Sequence, residues 1–257
     1  MDAKLNVERA KNEWEVRILM EDVADDIINN NVNGAFEKLA HAGKIFKDIK
    51  DKDGLKAKIV EDYISGGGYE SYGYDYNALS VITMTEDDKN EFNRLIREKL
   101  KENNTLNCKI QTKDEFKDFC VRDKIVFLTD NDVLEDISGY TGIIRDIYED
   151  EKDNCIIEVE IEDGRIIAFS TKDYSLSNID YAYALTTLKH HLFRISSKKV
   201  FIYDNGDTNY NEKYTQFTDV KRAESDIKIY TADYGKMLEK AQIEEDGQKV
   251  LPPHYNE

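Results

Sequence analysis

The feature that most constrains the fold is an alternation of apolar strands and charged helical segments in residues 179–230. Tyr183 lies in a short apolar run that leads into a polar turn or helix start, and Lys199 begins a second apolar run closed by Asp-Asn-Gly. Residues 214–224 have helical spacing, and residues 226–230 alternate polar and apolar side chains as a half-buried strand does. This order of strands and helices predicts an α/β fold with a largely parallel sheet.

The N-terminal part of the chain is predicted to be helical. Residues 4–30 carry apolar side chains at intervals of four or five, including Trp14, which we interpret as a packing anchor rather than a base-stacking residue. A turn at residues 29–34 and Gly43 bracket a second short helix, and residues 54–63 form a third.

A strand and a capped helix follow. Residues 78–84 form an apolar strand, and Thr85 precedes three acidic residues as a helix N-cap does. Phe92 and Leu100 belong to the apolar stripe of that helix.

Residues 121–169 change character and predict a small antiparallel β-barrel. An Asp-Gly pair at Asp163 joins two apolar runs, which is a strong hairpin signal. Gly139 and Gly142 are expected to supply turn geometry. The glycine- and tyrosine-rich residues 65–76 follow no apolar strand and lack a GK[ST] ending, so we predict a surface loop, with base stacking by its tyrosines as the alternative.

Two short patterns near the C-terminus resemble the second RecA-like domain of superfamily 1 DNA helicases. The resemblance is strongest to the conjugal-transfer TraA type, in which a relaxase is fused to a RecD-like helicase. The matching residues are Tyr183, Ala184, Leu185, Thr186 and Lys189 in the first pattern, and Tyr214, Thr218, Ile229 and Tyr230 in the second. The sequence departs from the family at Leu188 (His in the family), at His191-Leu192 (Gln-Gly) and at Asp219 (Arg).

Other segments extend the resemblance to most of the chain. The helix at residues 93–100 is similar to the family's NxxIRxxL helix, and residues 122–131 with 138–144 resemble its SH3-like insert. The implied fold is α/β, a partial RecA-like parallel sheet with flanking helices, an N-terminal helical segment and a small SH3-like β-barrel insert. The implied domains are a helical segment at 1–64, the RecA-like domain at 65–112 and 176–244, the insert at 113–175 and a disordered tail at 245–257.

The resemblance also implies site residues. Those expected to face the phosphates of ATP are Arg9, Lys189, Lys221 and Arg222, and those expected on the side of single-stranded DNA are Thr83, Thr85 and Thr186. For Arg9 the alternative is an ordinary exposed helix residue, and for Thr85 the alternative is capping alone.

The sequence lacks what ATP hydrolysis needs. A phosphate-binding GxxxxGK[ST] loop occurs nowhere in it, and Asp219 cannot replace the arginine that stabilises charge on the γ-phosphate. His41, His190, His191 and His254 are too few and too badly spaced for a relaxase metal site, so neither nicking nor a bound metal is expected. ATP and Mg²⁺ are implied as cofactors only by the family resemblance. We predict that the chain alone binds no cofactor and has no activity of its own.

Composition limits the partners. The net charge of −17 argues against a surface that coats nucleic acid, although a local basic groove stays open. The sequence has no apolar run of the roughly 18 residues that a membrane helix requires and no signal peptide. Cys108, Cys120 and Cys155 are widely spaced, which predicts free thiols in a cytoplasmic protein.

Three hypotheses follow for the function. The first is a non-catalytic helicase fragment from a split or decaying conjugation gene. The second is a working half that associates with a separately encoded ATPase domain and relaxase, and it predicts an exposed apolar face around residues 183–189. The third is an unrelated protein-interaction or DNA-binding module with a basic groove that does not depend on Lys189 or Arg222.

Overall fold

The computed structural model describes residues 2–29, 31–66, 79–111, 118–151, 154–193, 195, 197–206 and 223–242. The helices are α1 (Asp2–Ile28), α2 (Val32–His41), α3 (Lys52–Ser65), α4 (Glu86–Glu102), α5 (Thr187–Leu192) and α6 (Tyr234–Gln242), with a 3₁₀ turn at Leu176–Asn178. The strands are β1 (Ile45–Phe46), β2 (Leu79–Thr83), β3 (Asn107–Gln111), β4 (Cys120–Val121), β5 (Lys124–Phe127), β6 (Thr141–Glu149), β7 (Cys155–Ile161), β8 (Ile166–Ser170), β9 (Ile179–Tyr181), β10 (Ala184–Thr186), β11 (Ser197–Asp204) and β12 (Ala223–Thr231).

One of the two five-stranded sheets has the strand order β1-β12-β11-β2-β10. Its terminal pairs are parallel: Ile45 lies opposite Ile229 in β1–β12, and Val81 lies opposite Ala184 in β2–β10. The α/β class with a parallel sheet and flanking helices is therefore confirmed. By its contacts the chain divides into two compact units, residues 1–56 with 198–257, and residues 57–197.

The first unit has its core between helices and strands of that sheet. Val23 and Ile27 of α1 and Phe36 and Leu39 of α2 are buried, as their helical spacing predicts. Tyr230 of β12 stacks edge-on against the Phe201 ring, with 5.3 Å between the ring centroids.

The prediction that Trp14 anchors packing is wrong, because 63% of this residue is exposed. The reason lies in the helical period of 3.6 residues per turn. Nine residues separate Trp14 from Val23, which places the two side chains about 180° apart around the helix axis. Ile18, one turn from Trp14, is exposed as well. The buried apolar stripe of α1 thus runs through Met20, Val23, Ala24 and Ile27, and Trp14 and Ile18 lie outside it.

The second unit contains an antiparallel sheet with the strand order β8-β7-β6-β5-β9. Its buried face carries aromatic and branched side chains, including Phe127, Ile144, Val159 and Phe169. The predicted hairpin between β7 and β8 is confirmed by the antiparallel pairing of these two strands. Closure of these strands into an SH3-like barrel stays a prediction.

The glycines of this sheet have different roles. Gly139 has a φ of 86° and lies in a turn, as predicted. Gly142 is not a turn residue, because it lies inside β6. A Cβ atom there would stand 2.6 Å from Val159 Cγ1 and 2.7 Å from the Glu160 carbonyl oxygen. Gly142 is therefore needed for the close approach of β7 and not for a turn.

The prediction of three free thiols is also wrong. Cys108 of β3 and Cys120 of β4 form a disulfide, with their Cα atoms 4.6 Å apart. The antiparallel pairing of the two strands brings the cysteines together, and sequence spacing does not reveal this pairing. Cys155 lies outside the bond.

Parts of several predictions fall outside the described residues: 67–76 of the tyrosine-rich loop, 214–222 of the predicted helix, and the tail at 245–257. The last residues assigned to that helix, Ala223 and Glu224, instead begin β12. Among the described residues, none of the helices is both long and apolar enough to cross a membrane.

Candidate strand-end site

The candidate site lies where the parallel strands β2 and β10 end. Thr83, the last residue of β2, lies opposite Thr186, the last residue of β10. Because parallel strands present their carboxyl ends at one edge, the segments that follow, with Thr85 and Lys189, start beside each other. Thr83, Thr85, Thr186 and Lys189 are thus brought together as a group. Lys221, Arg222 and the side chain of Arg9 lie outside the described residues.

The threonine hydroxyls make local hydrogen bonds. Thr85 Oγ1 accepts from the Asp88 backbone N–H at 3.1 Å and donates to the Asp88 carboxylate at 2.8 Å, which confirms it as the N-cap of α4. Thr186 Oγ1 accepts from the Lys189 backbone N–H at 3.3 Å at the start of α5. Thr83 is buried and donates to the Thr85 carbonyl oxygen at 3.1 Å.

Lys189 belongs to a cluster in which two lysines share two carboxylates. Lys189 Nζ lies 3.1 Å from Glu86 Oε1 and 3.6 Å from Asp180 Oδ2. Lys89 Nζ lies 2.7 Å from Glu86 Oε2 and 2.6 Å from Asp180 Oδ2. The side chain of Lys89 is almost wholly buried, whereas a quarter of the Lys189 side chain is exposed. The formal charges of this cluster cancel.

Within this cluster, the ionised forms of Lys89 and Glu86 are stabilised. Burial by itself would lower the pKa of Lys89, but its hydrogen bonds to Asp180 and Glu86 outweigh burial and raise this pKa. Burial would likewise raise the pKa of Glu86, but hydrogen bonds from Lys89 and Lys189 lower it below its ordinary value. Of these partners, only Glu86 and Lys89 carried a sequence signal, as an i, i+3 pair on a predicted helix.

Asn93 of α4 completes the hydrogen bonding of β10. Its Oδ1 accepts from the Ala184 backbone N–H at 2.8 Å. Its Nδ2 donates to the carbonyl oxygens of Ala184 at 3.1 Å and Tyr181 at 3.3 Å. Because β10 ends the order of the five-stranded sheet, the amide of Asn93 takes the place of a neighbouring strand.

Arg97, one turn further along α4, binds the start of the antiparallel sheet. Its guanidinium contacts both carboxylate oxygens of Asp123, and it also contacts the side chain and carbonyl oxygen of Asp118. Asp123 additionally accepts from the Tyr183 hydroxyl at 2.8 Å. The guanidinium lies 4.0 Å from the ring centroid of Tyr181. Burial opposes the charge of Arg97, but its bonds to Asp123 prevail and raise its pKa.

These contacts account for the NxxIRxxL pattern that the sequence contains. Asn93 and Arg97 are its polar members, and Ile96 and Leu100 are buried beside them. The polar members bind β10, β9 and the segment before β5. The pattern was visible in the sequence, but the partners of its polar members lie far away in the chain and no local pattern marks them.

Among the residues that the structure describes, no group of three or more His, Cys, Asp or Glu side chains is placed to hold a metal ion. His190 is fully buried, and the side chain of His191 lies outside the described set.

The sequence matches no known family model and no curated protein. The solved structures that the chain matches include a Pif1 helicase from Bacteroides in complex with ADP-AlF3 and single-stranded DNA, at 18% identity and a TM-score of 0.49, covering 88% of this chain and 51% of that one. Bacteroides Pif1 bound to single-stranded DNA gives 14% identity, a TM-score of 0.48 and coverages of 86% and 50%. A structure of two coordinating Pif1 helicases at forked double-stranded DNA gives 15% identity and a TM-score of 0.46, covering 86% of this chain and 48% of that one. The chain spans about half the length of the helicases that it matches.

Proposed function

We propose that the chain is a helicase-like segment of a superfamily 1 DNA helicase of the conjugal-transfer TraA type, and that it does not hydrolyse ATP or nick DNA by itself. The observation that carries the absence of activity is the ion pairing of Lys189. The one predicted phosphate-facing side chain that the structure describes is bound to Glu86 and Asp180.

Electrostatics supports the absence of activity. A lysine that contacts phosphate must offer its charge to the ligand, but the charge of Lys189 is already balanced by two carboxylates. The chain carries a net charge of −17 and contains no GxxxxGK[ST] loop. Together these features oppose both the binding of ATP phosphates and the binding of a nucleic acid backbone.

Phosphate release from ATP and fluorescence anisotropy of a labelled single-stranded oligonucleotide test the proposal with the purified chain. We expect no turnover with or without DNA, and no anisotropy change at low or moderate salt from a chain shown to be folded by circular dichroism. Turnover by the chain alone would overturn the proposal.

A matched pair of variants identifies any DNA binding that is seen. Lys189→Ala removes the candidate phosphate contact, and Arg94→Ala removes a similarly charged side chain that pairs with Glu98 on the exposed side of α4. Salt-sensitive binding lost only in Lys189→Ala would indicate a surviving helicase groove. Binding unchanged in both would favour an unrelated DNA-binding module instead.

One observation favours the second hypothesis, a working half that associates with a separately encoded ATPase domain. The apolar face predicted around residues 183–189 is mostly buried, because Tyr183 and Leu185 are hardly exposed. Leu188 in this range and Leu192 just beyond it stand one turn apart on α5 and are 65% and 63% exposed. An apolar pair at this place fits a surface that another domain covers. Mixing the chain with a first RecA-like domain of a TraA-type helicase should then restore ATPase. The double variant Leu188→Glu, Leu192→Glu should abolish that restored activity.

A further inference from the structure

The disulfide between Cys108 and Cys120 is a second site with its own chemistry. It joins β3 to β4, and the described pairing of these strands is sparse and irregular, with Asn107 opposite Val121 and Gln111 opposite Cys120. The two sulfur atoms belong to residues of unequal exposure: Cys108 is half-buried, whereas Cys120 is fully buried. An external reagent therefore reaches the bond from the Cys108 side.

Contacts independent of the bond hold Cys120 in position. Its backbone N–H donates to Asp123 Oδ2 at 2.7 Å, and its Sγ lies 3.8 Å from Arg97 Nη2. The carbonyl oxygen of Asp118 also lies 3.8 Å from this sulfur. Because Arg97 binds both Asp118 and Asp123, the ionic contacts around Cys120 remain available when the bond opens. Cys120 is thus held in place by contacts that do not need the bond.

We propose that Cys108–Cys120 is a thiol-exchange site, at which a small thiol of the glutathione class forms a mixed disulfide with Cys108 and releases Cys120. One sulfur of this disulfide is accessible to a reagent, and the other belongs to a residue that its neighbours hold in place. Such a bond can be reduced and can form again without unfolding of the chain. The stability of this region should therefore decrease as the ratio of reduced to oxidised small thiol in the surrounding solution rises.

The chemistry balances in two steps. The thiolate of the small thiol attacks Cys108 Sγ, a new S–S bond forms, and the Cys108–Cys120 bond breaks with its electron pair on Cys120 Sγ, which takes up a proton. A second small thiol then attacks the mixed disulfide and releases Cys108 as a thiol. The chain gains two electrons and two protons, and the two small thiols are oxidised to their disulfide.

The test uses the full chain incubated with defined ratios of reduced and oxidised glutathione, followed by acid quenching, alkylation and peptide mass mapping. We expect interconversion of the disulfide and dithiol forms under native conditions, with the transient glutathione adduct on Cys108 and not on Cys120. The dithiol form should melt about 6 to 12 °C below the disulfide form, as expected for a covalent loop of this size in a chain of this length. Cys155 serves as the internal reference for alkylation.

Two single variants separate the roles of the sulfurs. With oxidised glutathione, Cys120→Ser should accumulate the adduct on Cys108, because the chain no longer has the Cys120 thiol that would displace the glutathione. Cys108→Ser should give an adduct on Cys120 only at the rate at which the chain unfolds. If a variant does not fold, the position of the adduct in a rapidly quenched wild-type sample answers the same question.

Three results would overturn the proposal. The first is equal adduct formation on Cys108 and Cys120 in the native chain. The second is a bond that is reduced only at the rate of global unfolding. The third is a chain that keeps both residues as thiols after air oxidation.

Discussion

Arg97 and Asp123 form a bidentate ion pair in the interior of the second unit. Arg97 Nε lies 2.8 Å from Asp123 Oδ1, and Arg97 Nη2 lies 2.9 Å from Asp123 Oδ2. The carboxylate is fully buried and 8% of the Arg97 side chain is exposed, so both charges have left the solvent. Removing Arg97 would leave the Asp123 carboxylate buried without the ion pair that Arg97 provides, whereas Arg97 has a second carboxylate partner in Asp118.

We therefore expect Arg97→Ala to lower the free energy of unfolding by about 3 to 5 kcal/mol. Arg94→Ala on the same helix removes an exposed pair with Glu98 and should cost less than about 0.5 kcal/mol. Urea unfolding followed by circular dichroism measures both. Arg97→Lys keeps the charge but cannot form the bidentate contact, so its loss in free energy of unfolding should lie between those of the two alanine variants. Equal losses in Arg97→Ala and Arg94→Ala would contradict this account.

Asn93→Ala should weaken β10 locally. The substitution leaves the buried N–H and carbonyl groups of Ala184 without the bonds that Asn93 provides, at a cost of about 1 to 3 kcal/mol for each group left unsatisfied. Hydrogen exchange at the Ala184 amide should accelerate by tenfold or more, since about 1.4 kcal/mol corresponds to a factor of ten. Asn103→Ala, at the exposed end of the same helix, is the control, and unchanged protection at Ala184 in Asn93→Ala would refute the role of Asn93.

Asp118 should contribute to stability in mild acid. Burial alone would raise the pKa of its carboxyl, but Lys101 and Arg97 outweigh burial and lower this pKa to about 2, from 3.8 in an unfolded chain. The contribution is fully present above about pH 4 and is lost as the pH falls through 2, because the unfolded chain binds the proton first. Half of the side chain is exposed, so the effect stays below roughly 1 kcal/mol.

Urea unfolding of wild type and Asp118→Asn between pH 2 and pH 6 checks this sign. The wild type should be more stable at pH 6, and the difference should shrink toward zero at pH 2. High salt should reduce the difference at pH 6, since it screens the exposed part of the interaction. A difference that grows on acidification would reverse the assigned direction of the pKa shift.

Thr85 offers a test of capping. Thr85→Ala removes the acceptor for the Asp88 N–H and should cost about 1 kcal/mol, whereas Thr85→Ser keeps the hydroxyl and should cost a few tenths at most. Urea midpoints of the two variants measure the difference. Equal losses would mean that the methyl group of Thr85, and not its hydroxyl, carries the stabilisation.

The sequence was informative where the determining interactions are local. The apolar runs of β2 and β11 and the cap at Thr85 were predicted because each depends on residues within a few positions of the chain. Trp14 was misplaced because apolar spacing was judged by residue intervals and not by cumulative rotation around the helix axis.

The site was harder to predict because its partners are distant in the chain. Asp180 lies 91 positions from Lys89, and Tyr183 lies 60 positions from Asp123, so their contacts exist only after the strands have paired. The bond between Cys108 and Cys120 likewise depends on strand pairing. The resemblance implied that Lys189 faces ATP phosphates and that Thr83 lies on the DNA side, but it did not predict that two carboxylates would bind Lys189.

The amide of Asn93 also has a consequence for how copies of this chain meet. An edge strand of a sheet offers unpaired backbone N–H and carbonyl groups to any extended peptide, and such edges are common starting points for aggregation. At β10, Asn93 binds the backbone N–H and carbonyl groups of Ala184 on that edge. This edge is therefore a poor template for an added strand, and Asn93 should hinder the recruitment of another molecule there.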